Sequence, residues 1–375
     1  MSQAVMHRQY AWPGLRIAVE CADAASLDWL DEFLTPSFGA EAGSDGDYAV
    51  RLVVDSERYE RASEASGTDG QIDVFVQDAS VVRLPAVEAH GRWSAFDKSY
   101  RAVYRVKELD SPVEILHGGT GIEVRGGLMR VVRELAMNHA LDRGDTILHA
   151  ACLRLGEGGL IIAGPKGAGK TTLLLHLLGA EAARYVTNDR LLVYSENGSV
   201  IVRGVPTIVC IRDALFDYFP GMRERLMDGW YRWLLTLEEC SAKPPPPPSP
   251  WPDGRIGISP SQLCALVSRP AVEAATPRVA VFPEITLSEG GVSVEPLSAQ
   301  ETASRLQASL FAAAHAGARS RLFGRPGQPD RSPEELAAAC QDLARSVRGF
   351  RCELGHDAAY TSSGARILAE KLTIG

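Results

Sequence analysis

Lysine is scarce in this chain. Of its 375 residues only Lys98, Lys107, Lys166, Lys170, Lys243 and Lys371 are lysine, and arginine carries the rest of the positive charge. Acidic residues outnumber basic ones, 47 to 39, for a formal charge of −8. A general nucleic-acid binder shows a basic excess, so no nucleic-acid partner is expected. The seven cysteines, Cys21, Cys152, Cys210, Cys240, Cys264, Cys340 and Cys352, are odd in number and never spaced C-x-x-C. That excludes a regular disulfide framework or zinc pattern and fits reduced thiols. No apolar run approaches the length of a membrane span, and none follows a basic N-terminal stretch. A soluble, cytoplasmic protein without a membrane partner is therefore expected. The N-K-x-D motif of a base-reading GTPase is missing. So is a strand of four apolar residues ending in Asp-Glu, which a motor or transport ATPase would carry. Leu287-Ser288-Glu289-Gly290-Gly291 resembles a transporter signature only superficially, because a strand-like run rather than a helix follows it. There is no internal repeat.

What the chain has is apolar content for a sizeable core, at 45% hydrophobic and 23% charged, and a length that predicts two or three domains. Two of the six lysines stand in one segment, Gly164-Pro165-Lys166-Gly167-Ala168-Gly169-Lys170-Thr171, with the pattern G-x-x-x-x-G-K-T. The apolar run Leu160-Ile161-Ile162-Ala163 leads in. Thr172 to Leu178 reads as a helix, which Gly179 stops. Strand, glycine loop and helix are the context of a phosphate-binding loop. Its glycines allow backbone turns that side chains would block. The freed N–H groups form an anion nest facing the positive end of the helix. Gly164, Pro165, Lys166, Gly167, Ala168, Gly169, Lys170, Thr171 and Thr172 are thus the expected nucleotide contacts. Lys170 is expected to reach the β- and γ-phosphates, and Thr171 to hold Mg²⁺ through its hydroxyl.

Residues 1–112 read as a small α+β domain. Strand patterns fall at 15–19, 49–54, 71–77, 81–84 and 99–106, with a helix over 26–33. The polar–aromatic cluster His90, Arg92 and Trp93 reads as an ordinary loop. Val113 to Val124 predicts a strand pair around Gly118-Gly119, and 127–140 an amphipathic helix. Strand 146–155 then turns through Gly156-Glu157-Gly158-Gly159 into the loop strand. If the two pair with their register centred between Glu157 and Gly158, His149 comes near the phosphate end; the other reading is a core histidine. Ala183-Arg184-Tyr185-Val186-Thr187-Asn188-Asp189-Arg190 reads as a short strand ending in an acid. An acid there, about nineteen residues after Lys170, suits a metal on nucleotide phosphates, or proton removal from an attacking hydroxyl. A hairpin follows with an Asn197-Gly198 turn.

Further on, 212–219 and 223–235 read as helices, with Trp230, Tyr231 and Trp233 as core or groove residues. Residues 243–250 form a polyproline stretch read as an exposed loop, and Arg255 is a candidate phosphate contact. Strands are expected at 279–287 and 292–294. Helices are expected at 298–315, opened by a cap at Ser298, at 334–347 and at 365–372.

Leu148-His149-Ala150-Ala151, Gly164 to Thr171 and Thr187-Asn188-Asp189-Arg190, in that order, resemble the HPr kinase family, and more closely its relatives outside the phosphotransfer system. Gly204-Val205-Pro206 and Pro277 to Leu297 are weakly similar. The resemblance covers roughly residues 125–310. It implies an α/β fold: an HPr-kinase-like phosphate-loop core with a mixed sheet over 113–300, related to phosphoenolpyruvate carboxykinase. The small domain precedes it, and a helical segment, 301–375, follows. It implies transfer of a phosphoryl group from ATP, with Mg²⁺, to a serine hydroxyl. His149 would sit beside the transferred phosphate, Lys170 would bind the phosphates, Thr171 the metal, and Asp189 would serve the metal or the proton. The chain departs from the family at Asn188, where HPr kinases proper have a second aspartate; Asn188 can hydrogen-bond or coordinate but accepts no proton. The family's segment after the catalytic core has no match here, so HPr is not the expected acceptor. The expected partner is a peptide, protein or small-molecule hydroxyl, and an oligomer is compatible with the sequence. A small-molecule kinase and a non-catalytic nucleotide-binding regulator are the alternatives.

Overall fold

The computed structural model describes residues 5–66, 70–77, 80–107, 111–119, 122–212, 215, 219, 221–228, 232–242, 255–286, 292–311, 322–324, 331–355 and 370. It is a mixed α/β protein. Packing divides it into two compact units, Met1–Gly144 with Ala314–Asp330, and Asp145–Ala313 with Arg331–Gly375.

In the first unit, β1 (Met6–Trp12) and β2 (Leu15–Cys21) form a hairpin over Pro13-Gly14, where Gly14 takes a φ of 68°. Then come α1 (Ala24–Leu34), β3 (Gly39–Glu41), β4 (Tyr48–Val54), α2 (Ser56–Ser66), β5 (Gln71–Gln77), β6 (Ser80–Ala89), β7 (Arg92–Asp97), β8 (Ala102–Val106), β9 (Val113–His117) and α3 (Val124–Asp142). The sheet order is β3-β1-β2-β4-β9-β8-β7-β6-β5. Strands β2, β4 and β9 run parallel, which requires crossovers. Helix α1 buries Leu27, Leu30, Phe33 and Leu34, at helical spacing. His90 and Gly91, with φ values of 54° and 69°, make the turn between β6 and β7, an ordinary hairpin tip.

Two expectations fail here. Only Val113 to His117 of the expected strand pair is strand, and Val124 opens α3. Strand β9 pairs with β4 on one side and β8 on the other, which leaves it no free edge for a hairpin partner. The expected boundary at 112 also shifts to 144. Strand β9 fills the gap between β4 and β8, and α3 packs on β2, β4 and β9, so both complete the first sheet.

The second unit holds β10 (Thr146–Leu155), β11 (Gly158–Ala163), α4 (Lys170–Leu177), β12 (Ala183–Thr187), β13 (Arg190–Glu196), β14 (Ser199–Val205) and β15 (Val209–Arg212). It continues with α5 (Met222–Asp228), α6 (Leu237–Ala242), β16 (Arg255–Ile258), α7 (Pro260–Val267), β17 (Ala274–Ala275), β18 (Pro277–Thr286) and β19 (Val292–Leu297), then α8 (Ala299–Gln307), α9 (Pro333–Ser346) and β20 (Arg348–Gly355). The sheet order is β17-β14-β13-β10-β11-β18-β20-β19, with β12 also on β10. Strands β11, β18 and β20 are mutually parallel and their neighbours antiparallel, so the sheet is mixed. Each face carries its own core. Leu153, Leu160, Ile162, Val279 and Val281 pack against α4. Leu148, Cys152, Ile161, Ala280 and Phe282 pack against α8 and α9.

The helical segment expected over 301–375 belongs to this unit except for Ala314–Asp330, and it is not helical throughout. Strand β20 joins its sheet beside β18, and α8 and α9 cover one face. Both helices start in capping boxes, at Ser298 with Glu301 and at Ser332 with Glu335. Of the helix expected over 223–235, α5 forms Met222–Asp228 and residues 232–235 are not helical, while Arg212 of the helix expected over 212–219 ends β15. Trp230, Tyr231, the polyproline stretch, 287–291 and nearly all of 365–372 lie outside the described residues. Among the described residues, no helix is long and apolar enough to cross a membrane.

Candidate functional site

Strands β10 and β11 pair from Ala150↔Ala163 to Leu155↔Gly158. The turn is therefore centred between Gly156 and Glu157, one residue earlier than the sequence predicts, and Gly156 takes a φ of 60°. One step beyond the last pair, His149 faces Gly164. Its side chain shares a face with Ala151 and Leu153, the face that packs against α4. Where β11 leaves the sheet, Ser309 to Phe311 takes over the edge of β10. The His149 N–H donates to Ser309 O at 2.7 Å, and the Phe311 N–H to Ile147 O at 2.8 Å.

Residues 164–169 join β11 to α4. Gly164, Gly167 and Gly169 have φ values of 150°, 88° and 98°, a region that side chains rarely enter. Around Gly167 the space is open, with no atom within 4 Å of where a Cβ would stand. Gly169 is the N-cap of α4, and no side chain caps the first turn, so its orphan N–H groups face outward from the loop. Pro165, Lys166 and Gly167 are exposed, Gly164, Ala168, Gly169 and Thr171 half-buried, and Thr172 buried. Lys170 is buried at 9% exposure and folds back over the loop. Its ammonium donates to Gly164 O at 2.8 Å and Pro165 O at 3.2 Å. Burial pulls the Lys170 pKa below its ordinary value, and the Asp189 carboxylate opposes that shift.

The acid comes from an interrupted strand. Thr187 pairs with Cys152 and Arg190 with His149 in one register across the break, while the rest of β12 is shifted by one residue, with Tyr185 opposite Leu153. Asn188 and Asp189, which would oppose Ala151 and Ala150, leave the ladder in a bend. The bend swings Asp189 toward His149, and His149 Nε2 lies 2.9 Å from Asp189 Oδ1. Burial pushes the Asp189 carboxyl up. The His149 hydrogen bond and the charges of His149, Arg190 and Lys170 outweigh this and hold it below the usual carboxylate range. Both side chains are about two-fifths exposed, 43% and 39%. An ion pair that open is worth about 0–1 kcal/mol, so it adds little stability.

Asn188 is only 8% exposed. Its Oδ1 accepts from the Tyr185 hydroxyl at 2.7 Å and the Thr207 hydroxyl at 3.1 Å. Burial keeps the Tyr185 phenol far above its ordinary pKa and so a donor. No spacing in the sequence points to Tyr185 or Thr207; they meet Asn188 only because the segment after β14 returns beside β12. Arg255, a candidate phosphate contact by sequence, stands instead in β16 opposite Arg212. Trp233 is half-buried, its N–H bonded to Gly257 O at 3.0 Å.

His149, Lys170 and Asp189 thus share one corner of the sheet. The open loop with left-handed glycines, the uncapped helix start and the ammonium, held among the described residues by two loop carbonyls, fit a polyphosphate. The oxygens of Thr171 and Asp189 fit a hard cation such as Mg²⁺.

No family model matches the chain, and no curated protein does. Among solved structures, the HPr(Ser) kinase/phosphatase from Coxiella burnetii is 14% identical, with a TM-score of 0.23, over 40% of this chain and 72% of that one. A likeness at that level carries no argument about fold or activity.

Proposed function

We propose that the chain is an ATP-dependent kinase of HPr-kinase-like fold that transfers the γ-phosphoryl group to an alcohol, a serine of a peptide or protein. The observation that carries this reading is the 2.9 Å His149–Asp189 pair standing at the mouth of a strand–glycine-loop–helix whose first helical residue is Lys170. A loop alone would serve any nucleotide binder; a proton-handling pair beside it serves transfer to a hydroxyl.

The loop N–H groups and Lys170 bind and orient the phosphates. Thr171 and Asp189 would hold Mg²⁺, which supplies neutralisation of the charge shared between β- and γ-phosphates. Asp189, a carboxylate at neutral pH, accepts from His149 Nε2 and leaves the ring's Nδ1 as the base. The acceptor oxygen attacks the γ-phosphorus while its proton passes to Nδ1. The bond from phosphorus to the β–γ bridging oxygen breaks, and ADP leaves. Positioning and charge stabilisation supply most of the rate.

The test is incubation with labelled ATP and Mg²⁺ against serine peptides and small alcohols, with Lys170→Ala alongside. Phosphorylated acceptor with wild type, and none with a folded Lys170→Ala, is expected. Equal transfer by both proteins refutes the reading; tight nucleotide binding with no transfer to any acceptor makes the chain a regulator.

A further inference from the structure

Resting on the nucleotide reading, we propose that the Asn188 side-chain amide is a phosphate ligand: its Nδ2 donates a hydrogen bond to a non-bridging oxygen of the nucleotide's terminal phosphoryl group. Asn188 occupies the bend between β12 and β13, one residue before Asp189. Its bond to Tyr185, a core residue of the face that carries α4, sets its side chain on that face of the sheet.

Its carbonyl oxygen is already saturated. The Tyr185 and Thr207 hydroxyls donate to it at 2.7 and 3.1 Å, which fills both lone pairs. Those two bonds also fix which end of the amide is which. Nδ2, with two hydrogens, has no partner among the described residues, in a side chain only 8% exposed. The amide nitrogen is not itself among the fully buried unpartnered atoms, so its hydrogens open to solvent, and a ligand that displaces that water must supply an acceptor in its place. An anionic oxygen delivered by a ligand on the adjacent loop is such an acceptor. A neutral donor also suits a terminal phosphoryl group better than a carboxylate would, because it adds no like charge next to Asp189. Asn188 therefore does not replace a lost base. It grips the group being transferred, and the proton is left to His149 and Asp189.

Calorimetric titration with Mg²⁺ and either ADP or β,γ-imido-ATP tests this without any turnover. Asn188→Asp is the main variant, since a carboxylate accepts the same two hydroxyls and the fold should hold. It should bind imido-ATP about 10- to 100-fold more weakly than wild type, from loss of one charge-assisted bond. Its ADP affinity should change less than about threefold, within the usual context scatter of one bond. Asn188→Ala should fall between wild type and Asn188→Asp for imido-ATP. Unchanged imido-ATP binding by Asn188→Asp, or an equal loss for both nucleotides, overturns the inference alone. A wild-type chain that binds neither nucleotide overturns the nucleotide reading and this inference together.

Discussion

Replacing Lys170 by methionine separates ligand binding from folding, because methionine keeps the aliphatic stem and removes only the charge. In the folded protein the ammonium makes two hydrogen bonds, to Gly164 O at 2.8 Å and Pro165 O at 3.2 Å. Hydrogen bonds to a charged group contribute about 1.5–3 kcal/mol each. Against them stands the cost of burying an ammonium that is only 9% exposed, an effective penalty of several kcal/mol. The lowered pKa of Lys170 has that same cause. The two carbonyls sit on a loop whose Pro165 is exposed, so water can replace the lost donor. The net change in stability should stay within about 1 kcal/mol, or roughly 2–4 °C in Tm for a domain of this size. Phosphate binding has no such compensation. Losing the charge-assisted bond to the β-phosphate should cost about 1.5–3 kcal/mol, a rise in the Kd for ADP of roughly ten- to a hundredfold. Calorimetric titration with ADP and Mg²⁺, alongside thermal unfolding, measures both quantities. A variant that melts with the wild type and binds ADP within about threefold of it, inside the usual context scatter of a hydrogen bond, would refute the role given to Lys170.

Asp189→Asn keeps the size of the side chain but loses the charge that orients His149 and holds a cation; phosphoryl transfer should fall at least about a hundredfold, as for other positioned proton-transfer groups, and near-wild-type transfer would remove Asp189 from the mechanism. The pH dependence of stability has a definite sign. The folded-state pKa of Asp189 is depressed, so its contribution is complete above the unfolded value of about 3.9 and is lost as pH falls through the lower folded value. The stability difference between wild type and Asp189→Asn should therefore be flat above about pH 5 and shrink below it; a difference that grows in acid contradicts the assignment. Away from the site, Gly349→Ala tests the close approach of α8 to β20. A Cβ there would lie 1.9 Å from Thr302 Oγ1, an overpacking worth about 1–3 kcal/mol. A clear drop in Tm is expected, partly recovered by adding Thr302→Gly, and an unchanged Tm would mean that the sheet and helix separate freely.

Local pattern carried much of this far. The alternation of Leu15 to Val19, the Asn197-Gly198 turn and the Ser298 capping box depend on neighbours a few residues away, and each forms where its pattern predicts. The glycine loop is legible for the same reason: positive φ values at Gly164, Gly167 and Gly169 are a demand on those residues themselves. The expected strand pair at 113–124 failed because both edges of β9 are taken by β4 and β8, and β4 lies far away in sequence. Strand β20 went unread although Phe350, Cys352 and Leu354 alternate with Arg351 and Glu353, because so short a run is a weak signal; β18 and β19 pair with it on either side and hold it in the sheet.

The candidate site divides along the same line. From its residues alone the chain fixes a strand, a glycine turn and a helix around Lys170, since propensity and backbone freedom are local properties. Tertiary structure decided the rest. Strand β10 pairs with Thr187 at the end of β12 and with Arg190 at the start of β13, and the break between them at Asn188-Asp189 brings Asp189 to 2.9 Å from His149, forty residues earlier. The return of the chain after β14 brings Thr207 beside Tyr185 and ties down the amide of Asn188. Such meetings depend on how strands from distant parts of the chain align. Side-chain burial over the whole sheet sets that alignment, and no short stretch of sequence encodes it.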